Sequence, residues 1–148
     1  MAFLSSLNIS GSALTAQRQR LDIIAENISN MDTTRTENGG PYRRKTVVFE
    51  AFEEGSFKGA LDRAYGSGNL PENAGVRVSE IAEDESPLKM LYDPSHPDAN
   101  EQGYVEMPNV EMLQEMIDAM SASRSYEANI TAINAIKLMA SKALEVGR

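Results

Sequence analysis

The chain has 148 residues, enough for one domain with a sizeable core, and it contains no cysteine and one histidine, His96. Disulfides, thiol catalysis, zinc–thiolate sites and sites built from several histidines are therefore excluded. The formal net charge of −8 argues against nucleic acid and anionic membrane surfaces as partners, because both are negatively charged and would repel the chain.

Neither a membrane anchor nor a secretory leader is expected from the sequence. No stretch approaches the roughly 18 consecutive apolar residues that a membrane-spanning helix needs, so no direct membrane insertion is predicted. The first residues lack a basic region followed by a compact apolar run, so no cleaved secretory signal is expected.

Charge, glycine and proline are unevenly distributed along the chain. Residues 1–46 carry a net charge of +2, residues 47–108 carry −9 and residues 109–148 carry −1. The stretch 39–108 contains all six prolines and eight of the ten glycines. The middle of the chain is therefore predicted to be acidic and irregular or β-rich, and the two ends helical.

These differences predict an α+β protein made of three consecutive parts. The parts are an N-terminal helical segment at 1–35, a linker with a small β-rich acidic domain at 36–108, and a C-terminal helix at 109–148. The two terminal helices are expected to form a coiled-coil-like layer beside the middle domain.

The first predicted element is a helix in which leucine or isoleucine recurs every seven residues, at Leu7, Leu14, Leu21 and Ile28. Three to four such heptads are typical of a coiled-coil seam. Gly11 weakens the early part by about 1 kcal/mol relative to alanine, so the firm part of the helix is predicted to begin near Ser12. The polar run 30–34 predicts its end, because such side chains compete for backbone hydrogen bonds.

β-Branched and aromatic residues in the middle of the chain predict strands at 46–52, 75–79 and 103–106. The stretch 55–74 separates the first two strands and predicts a loop or a loose hairpin, since it contains several glycines and a proline. Few large apolar side chains occur in this part of the chain. The predicted β domain is therefore small, and its acidic residues form a solvated surface.

The richest polar cluster of the sequence comprises Asp93, His96, Asp98 and Glu101. One histidine with carboxylates can bind a metal ion, but the spacing does not match a calcium-binding loop, which needs glycine at its sixth position and glutamate at its twelfth. The two neighbouring prolines favour a turn-rich loop in which Asp and His side chains form local hydrogen bonds. We favour the turn-rich loop and keep the metal site as the alternative.

No pattern of catalytic residues emerges, so no enzymatic activity and no cofactor are predicted. The acidic run 80–85 offers carboxylate pairs, but glycoside hydrolysis needs one carboxyl group buried in a cleft, usually with aromatic walls. Only Tyr92 is aromatic among residues 80–93. The basic triplet Arg43, Arg44 and Lys45 is weak evidence for nucleic acid in so acidic a chain. We interpret it as a stem into the first strand that pairs with an acidic surface.

The last predicted element is a long helix that starts after Pro108, with Asn109 as its N-cap and Glu111 near the positive end of the helix dipole. Its apolar residues lie on more than one side. Pairing with the first helix would cover only one of these sides, so the remainder needs another partner. A plain helical hairpin packed on the middle domain and an assembly with further copies or relatives are both compatible with the pattern.

Two long segments resemble the bacterial flagellar basal-body rod proteins, in particular those of the proximal rod. Residues 12–50 resemble their N-terminal region, with GPYRRK at 40–45 the most specific piece, and residues 92–148 resemble their C-terminal region. Residues 51–91 carry little of the resemblance. The family usually has alanine where Gly11 stands and glycine where Ser95 stands.

The resemblance implies a structural subunit of the rod that transmits torque. In that family the terminal segments form a coiled-coil inner layer, and the subunits leave the cytoplasm through the flagellar type III export apparatus without a cleaved signal. The implied partners are copies of the chain, other rod and basal-body proteins and the export apparatus, in the periplasmic part of the basal body. The expected assembly contacts are Leu7, Leu14, Leu21, Ile24, Ile28, Met112, Met116, Met120, Tyr126, Ile130, Ile133 and Leu144.

Two other functions remain open at this point. A soluble coiled-coil adaptor or export chaperone, acting as a discrete dimer, would also carry long amphipathic helices. A cell-wall hydrolase would use the acidic middle of the chain.

Overall fold

The computed structural model describes residues 2–37, 39–53 and 74–146. Their order confirms the predicted α+β class, with long helices at both ends and short strands between them. The elements are α1 (Ala2–Ser29), β1 (Lys45–Glu53), β2 (Ala74–Glu83), β3 (Lys89–Tyr92), β4 (Tyr104–Met107) and α2 (Met112–Val146). None of the described helices is both long enough and apolar enough to cross a membrane.

Helix α1 lies within the helical segment predicted at 1–35 and continues through Gly11, so this glycine does not interrupt it before Ser12. The propensity cost of one glycine, about 1 kcal/mol, is too small to interrupt a helix by itself. The C-terminal end lies where the polar run predicts it. There the Asn30 side-chain amide donates to the Glu26 carbonyl at 2.9 Å, in competition with the helical backbone.

Strands β1 and β2 form a two-stranded sheet. The Asp84 N–H donates to the Arg44 carbonyl at 2.7 Å, so the end of β2 lies beside the start of β1. This confirms the predicted strand at 46–52 and extends the one predicted at 75–79. The loop predicted at 55–74 falls almost entirely outside the described residues.

Strands β3 and β4 form an antiparallel hairpin in which Tyr92 pairs with Tyr104 and Lys89 with Met107. The sequence predicts β4 but not β3, because Lys89–Tyr92 has neither alternating polarity nor β-branched residues. Gly103 closes the hairpin with φ of +82°. A Cβ atom at this position would lie 2.9 Å from Cε2 of Tyr92, so both the backbone angle and the space require glycine.

The described residues form two compact units. The first comprises Met1–Arg18, Phe49–Ser79 and Ser123–Arg148. In it Ser10 and Ala16 are buried, and the Ser12 hydroxyl accepts a hydrogen bond from the Val76 N–H at 3.1 Å.

The second unit comprises Gln19–Val48 and Glu80–Ala122. It contains the end of α1, the hairpin and the start of α2. Its buried side chains are both apolar and polar, namely Ile24, Asn27, Tyr42, Val105, Pro108, Val110, Glu115 and Ala122. An asparagine and a glutamate among so few buried residues need polar partners.

Candidate functional site: a polar junction and an outer apolar face

Asn27, near the end of α1, lies at the centre of a buried polar cluster in the second unit. Its side chain is 1% exposed, and all four hydrogen-bonding positions of its amide are occupied. Nδ2 donates to the Lys45 carbonyl at 2.9 Å and to Glu115 Oε2 at 3.1 Å. Oδ1 accepts from the Lys45 N–H and from the Tyr42 hydroxyl, each at 2.9 Å. We call Asn27, Tyr42, Arg44, Lys45 and Glu115 the polar junction.

Glu115, in the first turns of α2, is fully buried within the chain. Its Oε1 accepts a hydrogen bond from Arg44 Nε at 2.6 Å, and its Oε2 faces the Asn27 amide. A buried carboxylate is tolerated only where a cation and hydrogen-bond donors replace its hydration. Arg44 and Asn27 provide both, so the position of Glu115 joins α2 to α1 and to the start of β1.

Tyr42 connects the junction to the turn that follows α1. Its N–H donates to the Thr33 carbonyl at 3.0 Å and its hydroxyl donates to Asn27 Oδ1. Burial, reinforced by the negative charges of Glu26 and Glu115, raises the pKa of Tyr42 to about 12. The hydroxyl is therefore protonated, as a hydrogen-bond donor to Asn27 must be.

Arg44 makes further contacts beyond Glu115. Its Nη2 lies 3.2 Å from Asp118 Oδ2, and Oδ1 of the same carboxylate lies 3.1 Å from Arg20 Nη2. Arg20 precedes Asn27 in α1 whereas Asp118 follows Glu115 in α2, so the two helices run antiparallel within the second unit. These ion pairs are partly exposed and add less than the buried contact with Glu115.

Asn109 does not cap α2, contrary to the sequence prediction. The helix begins at Met112, and the Asn109 side chain instead accepts from the Arg44 N–H at 2.8 Å and donates to the Asp84 carbonyl at 3.0 Å. A short polar side chain satisfies whichever backbone groups lie near it. Here these groups belong to the β1–β2 end, which only the tertiary structure brings to Asn109.

Two residues of the basic triplet pair with acidic side chains of the same chain, and the third donates to a backbone carbonyl. Arg44 contacts Glu115, Lys45 Nζ lies 2.6 Å from Glu26 Oε1, and Arg43 donates to the Asp84 carbonyl at 3.3 Å. This confirms the interpretation of the triplet as a stem into the first strand. It also shows that the acidic partners lie within the chain.

The loop after β3 is turn-rich, as predicted. Asp93 accepts from the Ser95 hydroxyl at 2.6 Å, and His96 Nδ1 accepts from the Asp98 N–H at 3.1 Å. Asp98 accepts from Thr34 at 2.8 Å and pairs with Arg35. The hydrogen bonds from Ser95 and from Thr34 hold the pKa values of Asp93 and Asp98 below their usual range.

These contacts give the carboxylates of Asp93 and Asp98 separate partners, Ser95 for the first and Thr34 with Arg35 for the second. Among the described residues, no group of three or more His, Cys, Asp or Glu side chains is arranged to hold a metal ion. Ser95, where the rod family usually has glycine, has an ordinary negative φ and adds the hydrogen bond to Asp93.

The acidic run at 80–85 lies largely on the surface. Glu80, Glu83 and Glu85 are exposed. Asp84 is half-buried, and hydrogen bonds from Ser86 hold the pKa of its carboxyl group below the usual range. The solvated surface predicted for this run is therefore confirmed at three of its four carboxylates.

The predicted assembly residues of α1 are largely covered within the chain. Ile24 is 6% exposed, and the other four are half-buried: Leu7, Leu14, Leu21 and Ile28. The predicted seam of α1 is therefore partly covered within the subunit and partly accessible.

The predicted assembly residues of α2 are mostly exposed. Tyr126 and Ile133 are half-buried, whereas five are exposed: Met112, Met116, Met120, Ile130 and Leu144. Met120 is 57% exposed and Leu144 77%. Three of the exposed residues lie in the second unit, next to the exposed Leu113 and Ile117. We call these five residues the outer apolar face: Met112, Leu113, Met116, Ile117 and Met120.

Three residues of the outer apolar face, Leu113, Ile117 and Met120, lie almost opposite the buried side of α2, and Met112 and Met116 lie towards its edge. Successive residues of an α-helix are about 100° apart, so Met120 and Ala122 differ by about 200°. Ala122 and Glu115 are fully buried, and they lie on the side of α2 that carries the polar junction. At the start of α2, the Glu115 carboxylate is therefore buried in the second unit and the methionines of the outer apolar face are exposed.

The polar junction is not predicted from the sequence. Its sequence signal consists of two features. One is a glutamate within an apolar helical stretch, and the other is the GPYRRK segment, which supplies Tyr42, Arg44 and Lys45. The partners of Asn27 are 15 to 88 residues away, so no local pattern connects them.

The fold and these two features are those of a subunit whose C-terminal helix presents an apolar face that the described part of the chain leaves exposed. Comparison with known families agrees with this class. Residues 7–35 match the model of the flagella basal body rod protein family, and residues 101–146 match that of the C-terminal region of the flagellar basal body rod FlgEFG proteins.

Curated relatives match over the full chain. A flagellar basal-body rod protein FlgC of Bacillus subtilis is 52% identical, with 100% of both chains covered. FlgC of Borreliella burgdorferi is 46% identical over 99% of this chain and 98% of the relative, and FlgC of Escherichia coli O6:H1 is 42% identical over 100% of both. The chain therefore belongs to the FlgC family of flagellar basal-body rod proteins.

Family membership establishes the general function. The chain is a structural subunit of the flagellar basal-body rod, and as such it assembles with other rod and basal-body proteins. The comparisons do not support the alternative of a discrete dimeric adaptor or export chaperone.

Proposed function

We propose that the subunit joins the rod through its terminal helices, with α2 making the principal contacts to copies of the chain and to other rod proteins. In this arrangement the helices form a shared inner layer, and the subunit passes torque to its neighbours by passive mechanical linkage. The observation that carries the proposal is the outer apolar face together with the exposed residues further along α2, Ile130 and Leu144.

The energetics of these exposed residues favour a partner. Monomeric proteins rarely expose a contiguous set of large apolar side chains. Burying the exposed part of one Met, Leu or Ile side chain contributes about 1 kcal/mol, so a neighbour that covers five of them gains several kcal/mol. In an open axial assembly, such a face is covered by the next subunit.

The α1 residues contribute to the proposed interface in a different way. Leu7, Leu14, Leu21 and Ile28 retain part of their surface for a neighbour, whereas Ile24 serves mainly to hold α1 within the subunit. We therefore keep all twelve predicted residues as the proposed interface and assign most of the binding free energy to those on α2.

We further propose a mechanical and non-catalytic role for the subunit in the periplasmic part of the rod. Export through the flagellar type III apparatus, without a cleaved signal, belongs to the same proposal. It is supported by membership of the rod family, together with the resemblance of both terminal regions.

Charge substitutions on α2 test the proposed interface. Met120→Asp places a carboxylate in the outer apolar face, and Ile130→Asp places one further along the helix. Met120→Leu is the matched control, because it keeps the apolar surface and nearly the same volume. Each variant is expressed in cells that lack the native chain, and its amount in detergent-extracted basal bodies is measured together with motility.

We expect both aspartate variants to be absent from basal bodies and the cells to be non-motile, while Met120→Leu behaves as the native chain. Circular dichroism of the purified variants checks that the fold is retained. Normal incorporation of folded Met120→Asp and Ile130→Asp chains would contradict the proposal.

A further inference from the structure

We propose that Glu115 is the residue that determines which side of α2 faces outward, and so selects the surface through which the subunit assembles. The inference deepens the proposed function and rests on it for the role of the outer apolar face. The orientation of α2 itself is a property of the subunit and can be measured without assembly.

The start of α2 has two sides that compete for the interior of the second unit. One side carries Leu113, Met116, Ile117 and Met120, with Met112 at its edge, and the other carries Glu115, Asp118, Ala119 and Ala122. Burial of apolar surface alone would favour covering the first side, since methionine, leucine and isoleucine bury far more apolar area than alanine. The structure covers the second side instead.

The contacts of Glu115 account for this orientation. Its two carboxylate oxygens meet two donors that the rest of the unit already holds in place, Arg44 Nε at 2.6 Å and Asn27 Nδ2 at 3.1 Å. Turning α2 to bury the methionines would leave Arg44 and Asn27 without these bonds. A polar pair in an apolar interface can in this way select one register among several of similar apolar burial.

Asp118 lies on the same side but holds α2 less tightly. Its ion pairs with Arg20 and Arg44 are partly exposed, and solvent can replace them. Glu115 is the only carboxylate among the described residues of α2 that is fully buried. The orientation of α2 therefore depends on Glu115 and not on Asp118.

Single-cysteine labelling measures the orientation directly, because the chain has no cysteine of its own. Three probes are introduced one at a time into the purified full chain: Met120→Cys on the outer apolar face, Ala122→Cys on the buried side, and Val105→Cys in β4. A small maleimide is the reagent. In the native background we expect Met120→Cys to react at least about tenfold faster than the other two, because buried sites react only through local opening.

The test variant is Glu115→Ala, and Asp118→Asn is the matched control that removes one charge from the same side. Glu115→Ala leaves no buried charge unpaired, since Arg44 retains its ion pair with Asp118. The Asn27 amide retains its two hydrogen bonds with the Lys45 backbone. We expect Glu115→Ala to slow the labelling of Met120→Cys and to speed that of Ala122→Cys, until their order is lost or reversed. The Val105→Cys probe should stay protected, and Asp118→Asn should keep the native order.

Two results would overturn the inference. If Met120→Cys remains about tenfold faster than Ala122→Cys in the Glu115→Ala chain, Glu115 does not set the orientation. If Val105→Cys becomes reactive together with Ala122→Cys, the unit has opened as a whole, and Glu115 contributes stability and not orientation. Failure of the proposed function has a different signature, in which Glu115→Ala inverts the labelling order and still enters basal bodies normally.

Discussion

The side-chain amide of Asn27 pairs with both backbone groups of Lys45, donating to its carbonyl and accepting from its N–H, each at 2.9 Å. This is the hydrogen-bond pattern that two paired backbone strands make, with a side chain in place of one strand. It connects the end of α1 to the first residue of β1 across the turn. The same amide then reaches Tyr42 and Glu115, so one buried side chain connects three segments of the second unit.

The first prediction concerns the donors of this amide. Asn27→Asp keeps the shape of the side chain but replaces Nδ2 with an acceptor that faces the Lys45 carbonyl and the Glu115 carboxylate. We expect the free energy of unfolding to fall by about 3 kcal/mol, the cost of lost donors and a buried like-charge contact. Denaturant unfolding followed by circular dichroism measures the change.

Asn129→Asp is the control for the first prediction. The Asn129 amide donates within its own helix, to the Ser125 carbonyl at 2.9 Å, so its loss should cost less than about 1 kcal/mol. Equal losses of stability in the two variants would show that the polar junction has no special role.

The second prediction is a dependence of stability on alkaline pH. Because the pKa of Tyr42 is raised to about 12, above the unfolded value near 10, the folded chain holds this proton more tightly than the unfolded chain. The associated stability, about 2 kcal/mol, is fully present below pH 10 and is lost as the pH rises towards 12. Denaturant midpoints measured from pH 8 to pH 12 should therefore decline over this window.

Tyr42→Phe should weaken that decline. At neutral pH we expect the free energy of unfolding of this variant to fall by about 1 kcal/mol, the contribution of one hydrogen bond. The loss is limited because Asn27 Oδ1 still accepts a hydrogen bond from the Lys45 N–H. The difference between the ultraviolet titrations of the native chain and of Tyr42→Phe isolates the ionisation of Tyr42 from that of the other four tyrosines. A Tyr42 that titrates near pH 10 would contradict the assignment.

The third prediction contrasts two glycines. Gly103→Ala forces a Cβ atom to 2.9 Å from the Tyr92 ring at a φ of +82°, and should lower the free energy of unfolding by about 1–3 kcal/mol. Gly11→Ala lies within α1 with open space around the new methyl group, and should raise it by up to about 1 kcal/mol. Unfolding curves of the two variants should therefore move in opposite directions from that of the native chain.

The fourth prediction concerns local stability along α2. Amide hydrogen exchange of the purified subunit should be slow at residues 115–122, where Glu115 and Ala122 are buried. It should be much faster over residues 138–145, where Leu138, Met139 and Leu144 are exposed and few buried apolar contacts hold the helix. Uniform protection along α2 would mean that the end of the helix is stabilised within the subunit and does not depend on a neighbour.

The local elements followed from the sequence because their signals are local. The heptad spacing from Leu7 to Ile28 identified α1, and the residues around Val47 and Val105 identified β1 and β4. Strand β3 was missed, since four residues without alternation become a strand only through pairing with β4. The wrong N-cap at Asn109 has the same origin, because its side chain finds tertiary partners instead of the helix end.

By itself, the sequence determined the two terminal helices, the acidic middle and the resemblance to the rod proteins, because periodicity, charge and motif are properties of neighbouring residues. Only the tertiary structure decided which side of α2 is covered and which groups the basic triplet contacts. The physical reason is that Glu115 finds its donors 71 and 88 residues away, at Arg44 and Asn27. Apolar patterning does not distinguish the sides of a helix that is apolar on more than one of them, whereas the two hydrogen bonds of the buried Glu115 carboxylate do.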